Sequence, residues 1–190
     1  MNYHSAMPST RAQQAEQTRD EVLRTARRLF AEHGYDGTSL QQIADTMGVT
    51  KANVYYYFRT KEALLQALLE PFLRALGELL NRAEQIPDTH ERRMFLIEGR
   101  IATVIESYRT LGPLHLGDPG MRRNVEITRA IDDLAQRGLH LAFGDRPTLD
   151  EIAGYWILND LAPALRRLAH LPDNELHAVL VNLTVRALGL

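Results

Sequence analysis

Residues 50–61, TKANVYYYFRTK, gather the side chains of this 190-residue chain best suited to an anionic, hydrogen-bonding partner. They include three successive tyrosines, Tyr55, Tyr56 and Tyr57, the amide of Asn53, and the only two lysines in the sequence, Lys51 and Lys61. Ammonium and hydroxyl groups donate to phosphate oxygens, while an amide both donates and accepts and so can match the edge of a base. Nothing comparable points to catalysis. The seven histidines form no HExxH motif or i,i+4 pair, and there is no GxSxG elbow, no Gly-rich phosphate loop and no cysteine. The carboxylates fall mostly on polar faces, so no enzyme, metal or cofactor is implied.

These residues have to be positioned by helices. Ser, Thr or Asp followed three residues later by Glu or Gln can mark a helix start, and four pairs of this kind at the front of helically spaced apolar series are read so: Thr18 with Glu21, Thr38 with Gln41, Asp88 with Glu91, and Thr148 with Glu151. Thr50 and Thr60 are further caps. Helically spaced apolar residues behind them predict helices over about 19–33, 39–47, 51–57 and 61–85, the last with a bend near Pro71. Beyond these, helices are predicted over about 89–109, 121–143, 149–169 and 174–188, with a Gly/Pro-rich loop after the first of them. Gly34 ends the first helix and Gly48 makes the reversal between the two short ones. No segment alternates as a strand would, so the fold class is all-α.

The tyrosine run is not simply core filling. Val54 and Phe58, four apart, already supply a buried edge, and residues on a helix step round by roughly 100°, so the three tyrosines cannot all share it.

Hydrophobic residues make up 45% of the chain, enough for a packed core. The formal net charge of −2 argues against a general nucleic-acid binder, yet it is unevenly spread. Residues 1–61 hold eight basic and six acidic residues, the remainder fourteen and eighteen, which suggests that the two parts meet different partners. The absence of cysteine suits a reducing cytoplasm, and no apolar run approaches the length of a membrane span. The first residues lack the apolar core of a signal peptide and are expected to form a flexible arm over 1–17; Arg11 within it and Arg19 just after it could reach a nucleic acid.

The series Thr38, Ile43, Ala44, Gly48, Val49, Thr50, Val54, Tyr55, Phe58, Lys61, Glu62 and Leu64, in order and spacing, resembles the TetR family of bacterial transcriptional regulators. The match runs from about Thr18 to Leu65, a quarter of the chain. Met47, Ala52 and Tyr57 depart from the residues common there, without threatening the fold. The resemblance implies a helix-turn-helix DNA-binding domain over 18–60 and a helical ligand-binding and dimerisation domain over 61–190. It implies that Lys51, Ala52, Asn53, Tyr55 and Tyr56 face bases in double-stranded DNA. Thr38, Thr50, Tyr57 and Lys61 are then expected to hold phosphates, hydroxyls and an ammonium being suitable donors.

In the C-terminal part, apolar stripes at Ile152, Tyr155, Trp156, Leu161, Leu165 and Leu168, and at Leu176, Val179, Leu180, Leu183 and Leu188, can bury the last two helices against a second copy. A homodimer on a palindromic operator is expected, with Asn159 setting register or sitting as a core amide. By analogy with family members, an unidentified small-molecule effector is expected near Tyr108, His115, Tyr155 and Trp156 and would release a repressor from DNA. An architectural DNA-binding protein without ligand control is the alternative.

Overall fold

The computed structural model describes residues 10–112, 120 and 123–190, and these are helical with no strand among them. The chain divides between Leu68 and Leu69 into two units. In the first, α1 (Thr10–His33), α2 (Leu40–Met47), α3 (Lys51–Tyr57) and the start of α4 (Lys61–Ala83) surround a small core. Val22, Ala26, Leu29 and Phe30 of α1, Ile43 and Ala44 of α2, and Val54 of α3 are all buried. Their i, i+4, i+7 spacing on α1 is what an amphipathic helix buries on one side. Gly48 closes α2 in the left-handed region at φ 68°, its N–H donating to the carbonyls of Ala44 and Asp45. A side chain at that φ would be strained, so the sharp turn into α3 depends on glycine.

The second unit contains the rest of α4 and α5 (Thr89–Leu111), α6 (Val125–Phe143), α7 (Leu149–Asn159), α8 (Ala162–Leu168) and α9 (Asp173–Leu188). Helix α5 packs on α6 and α9, and α7 packs on the same two helices. One core cluster joins Phe72, Ile101, Val104, Leu165, Leu176 and Leu180, and a second joins Leu79, Leu80, Ala83, Leu96 and Ala142. Three α5 arginines fasten helix ends. Arg92 and Arg93 donate to the carbonyls of Leu141 and Ala142 at 2.8 and 2.6 Å, and Arg109 donates to the carbonyl of Ala169, the C-cap of α8, at 2.5 Å, and to Leu171 O and Asp173 Oδ1 in the turn into α9 at 2.7 and 2.8 Å. The late carbonyls of a helix lack internal donors, so cations there are favourable.

Four expectations are corrected. Helix α1 begins at Thr10 rather than Arg19, so residues 10–17 of the expected arm are helical, and Thr18 is no cap: its hydroxyl donates to Gln14 O at 2.8 Å within the helix. The cap of α2 is Ser39, which forms a complete box with Gln42, one residue after the expected Thr38. Helix α6 is capped by Asn124 and starts at Val125, after the expected Met121. The helix expected over 149–169 is broken between Asn159 and Ala162. Pro163 has no N–H to offer the carbonyl of Asn159 four residues earlier, and its ring would clash with that group. By contrast, α4 runs through Pro71.

Candidate nucleic-acid interface and effector cavity

Helix α3 is held from one side and open on the other. Val54 is fully buried and Phe58 is 5% exposed. The Arg19 guanidinium covers the Phe58 ring at 5.2 Å, so this cation of α1 is engaged with the core edge. On the open side, Lys51, Ala52 and Asn53 are exposed, with Tyr55 at 41% and Tyr56 at 80% exposure. Lys51 Nζ lies 5.2 Å from the Tyr55 ring centroid, a cation–π contact that leaves both at the surface. Tyr57 is half-buried, its ring 5.0 Å from that of Tyr56 and edge-on to it. The exposed Thr50 caps α3, its Oγ1 accepting from Asn53 N at 3.3 Å while the hydroxyl keeps a proton to donate.

Thr38 does not belong to this surface. It is 2% exposed, and its hydroxyl donates to Gly34 O at 3.0 Å and Leu29 O at 3.2 Å. Its side chain therefore closes the end of α1, and the exposed hydroxyl at the start of α2 is that of Ser39. The sequence held this signal, since Ser39 and Gln42 also have capping-box spacing.

Lys61 is half-buried at the start of α4, where Nζ donates to Tyr35 O at 2.8 Å and sits 4.3 Å from the Tyr35 ring centroid. An ammonium has three donors, so this bond does not exhaust it. The Tyr35 hydroxyl donates to Glu62 Oε1 at 3.2 Å. Burial, reinforced by the Glu62 charge, pushes this phenol well above its ordinary value. The Glu62 carboxyl is held below the usual range by its own backbone N–H first, and then by the hydroxyls of Tyr35 and Thr60.

The second unit contains a partly open cavity of about 130 Å³ between α4, α5, α6, α7 and α9, walled mainly by Leu, Ile and Phe. Tyr155 reaches it, and its hydroxyl donates to Ala135 O at 2.8 Å. Gly138 makes room: a Cβ there would lie 2.5 Å from that hydroxyl. Burial raises the Tyr155 pKa, with nearby Arg100 acting in the opposite sense. The other expected cavity residues are placed differently. Tyr108 packs against the cluster containing Phe72 and Leu180, Trp156 is 39% exposed and off the cavity wall, and His115 lies outside the described residues. Asn159 lines the cavity, and its carbonyl accepts from Arg100 Nη2 at 2.7 Å. Arg93 and Arg100 on the wall were not foreseen, because no motif marks them and only tertiary packing brings them inward.

The apolar residues of α7 and α9 divide between inside and outside. Leu176 and Leu180 are buried, while Trp156 and Ile157 on α7, and Val179 and Leu183 on α9, are exposed at 39%, 75%, 47% and 47%.

A family model described as bacterial regulatory proteins of the tetR family matches residues 22–68. The chain is 32% identical over 168 residues to the HTH-type transcriptional repressor KstR2 of Mycolicibacterium smegmatis, covering 80% of this chain and 79% of that protein. It is 32% identical over 143 residues to the HTH-type transcriptional repressor AcnR of Corynebacterium diphtheriae, covering 71% and 72% of the two chains. Among solved structures, AmtR of Mycobacterium smegmatis matches with a TM-score of 0.65 at 24% identity, covering 100% of this chain and 90% of that one. At that identity the likeness concerns the fold.

Proposed function

The chain belongs to the TetR family of bacterial regulatory proteins, and on that premise we propose that it is a ligand-responsive transcriptional repressor acting in the cytoplasm as a homodimer on a palindromic operator. The observation that carries this reading is the division of α3. Val54 and Phe58 anchor it, while Lys51, Ala52, Asn53, Tyr55 and Tyr56 stand on its open side. Such a helix presents its first turns to the major groove. Lys51 suits guanine O6 and N7, Asn53 suits adenine, and Ala52 or a tyrosine ring suits a thymine methyl. Thr50, Tyr57 and Lys61 are assigned to phosphates, joined by Ser39 in place of Thr38. The DNA-binding domain is taken as residues 18–60 and the regulatory domain as 61–190.

One short helix reads too few bases for useful specificity, so two copies are required. The exposed apolar residues of α7 and α9 supply the surface on which two copies meet as a four-helix bundle. A small molecule filling the cavity favours a state of the dimer whose recognition helices no longer match grooves about 34 to 36 Å apart. Release by about 100-fold requires only about 2.7 kcal/mol of differential affinity.

Footprinting on an isolated operator, with compounds that fill the cavity titrated in, tests this reading. A single palindromic footprint lost on saturation is expected. Sequence-tolerant protection that no compound alters is what an architectural protein would give.

A further inference from the structure

The cavity of the second unit has a chemical bias beyond its apolarity. Both charged side chains on its wall, Arg93 and Arg100, are cations, and no Asp or Glu is among the described residues that line it. Arg93 is drawn to the rim of this arrangement by Glu151 at 3.6 Å, and its guanidinium lies 4.8 Å from the Phe143 ring centroid. Arg100 is set among Leu, Ile and Val side chains, and burial lowers its pKa, as expected where a cation is taken from water. There its attraction for an anion is weakly screened.

Arg100 also holds a specific place in the fold. Its Nη2 donates to the carbonyl of Asn159, the last residue of α7, at 2.7 Å. That carbonyl cannot receive a helical bond from Pro163, so the guanidinium substitutes for it.

We propose that this cavity binds a compact apolar carboxylic acid, its carboxylate paired with Arg100 and its hydrocarbon part packed among the leucine and phenylalanine side chains. The assignment rests on the ligand-responsive reading above and gives the effector a chemical class. A guanidinium presents a planar fork of donors that matches a carboxylate. The volume of about 130 Å³ is close to that of an apolar cavity of roughly 150 Å³ known to hold benzene, which points to an acid of benzoate size. Such a carboxylate shares the Arg100 guanidinium with the Asn159 carbonyl and so sits against the end of α7, the helix that carries Trp156 and Ile157.

The test uses the full chain, with benzoate and cyclohexanecarboxylate compared with benzamide and cyclohexanecarboxamide by calorimetry and thermal shift. Wild type, Arg100→Met and Arg100→Lys are measured alike, and operator binding without compound reports that each variant is folded. The wild type is expected to bind each acid about tenfold or more tightly than its amide. Arg100→Met is expected to abolish that preference while still taking the amides, and Arg100→Lys to restore part of it. Equal affinity for acid and amide in the wild type, or a preference that survives in Arg100→Met, overturns the proposal. If neutral compounds bind and release the operator while acids do not, the carboxylate assignment alone fails. If no compound of either kind binds, the assignment fails together with the effector reading of this cavity.

Discussion

Lys61 donates from Nζ to the carbonyl of Tyr35 at 2.8 Å and holds its charge 4.3 Å from the centroid of the same residue's ring. The first residue of α4 is thereby tied to the segment between α1 and α2, although only one of its three donors is used. Lys61→Ala is therefore expected to have two separable effects. It should cost about 1 to 2 kcal/mol of stability, read by urea denaturation, because a hydrogen bond and a cation–π contact are lost. It should also flatten the salt dependence of operator affinity by about one unit of slope per half-site. A stability loss with an unchanged slope would remove Lys61 from the phosphate contacts.

Thr38 and Ser39 separate structure from binding. Thr38→Val removes the donor shared by the carbonyls of Leu29 and Gly34 in a buried place, and is expected to cost about 1 to 3 kcal/mol. Ser39→Ala removes the cap of α2, worth about 1 kcal/mol, and an exposed hydroxyl as well. Only the second should alter the salt slope, as titration at several ionic strengths will reveal. An altered slope in a folded Thr38→Val protein would restore Thr38 to the phosphate contacts.

The short helices α2 and α3 were legible because what sets them is local. A cap, a glycine turn and a four-residue apolar spacing lie within a few residues of each other, and α3 spans Lys51–Tyr57 as expected. Thr18 misled because a hydroxyl within a helix can bond backward to a carbonyl four residues earlier, as it does to Gln14. The break after Asn159 was readable from Pro163 but was masked by the apolar stripe running through it. Tyr155, which lines the cavity, stands out in the sequence as an aromatic residue on an apolar helix, whereas an arginine such as Arg100 looks solvated in a helical sequence until neighbouring helices close around it.

The exposed residues of α7 and α9 should govern assembly. Ile157→Glu combined with Leu183→Glu is expected to convert dimer to monomer in sedimentation, since both side chains are exposed apolar groups whose burial would leave a charge unpaired. Operator affinity should fall with it, by an amount that grows at low protein concentration. A double variant that remains dimeric would place the interface elsewhere.

Tyr35 gives the fold an alkaline limit. Burial, and then the Glu62 charge, raise its pKa, so the folded state keeps the phenolic proton after the unfolded chain has lost it. The stabilisation is fully present below the ordinary phenol value near 10 and declines as pH rises from there toward the folded value. Tyr35→Phe, which does not titrate, should lose less stability than the wild type between about pH 9 and about pH 11. Parallel losses in urea midpoints would contradict this coupling.

Whether α3 reads DNA in symmetric pairs is tested most directly by selection of bound DNA from a random pool by the wild-type chain and by Asn53→Ala, side by side. The wild type is expected to enrich an inverted repeat whose half-sites recur about one helical turn apart or at a multiple of it, and Asn53→Ala to enrich the same repeat with one position in each half-site relaxed. Enrichment of no motif, or of a single unrepeated one, would contradict the account, and an unchanged motif in Asn53→Ala would remove Asn53 from base reading.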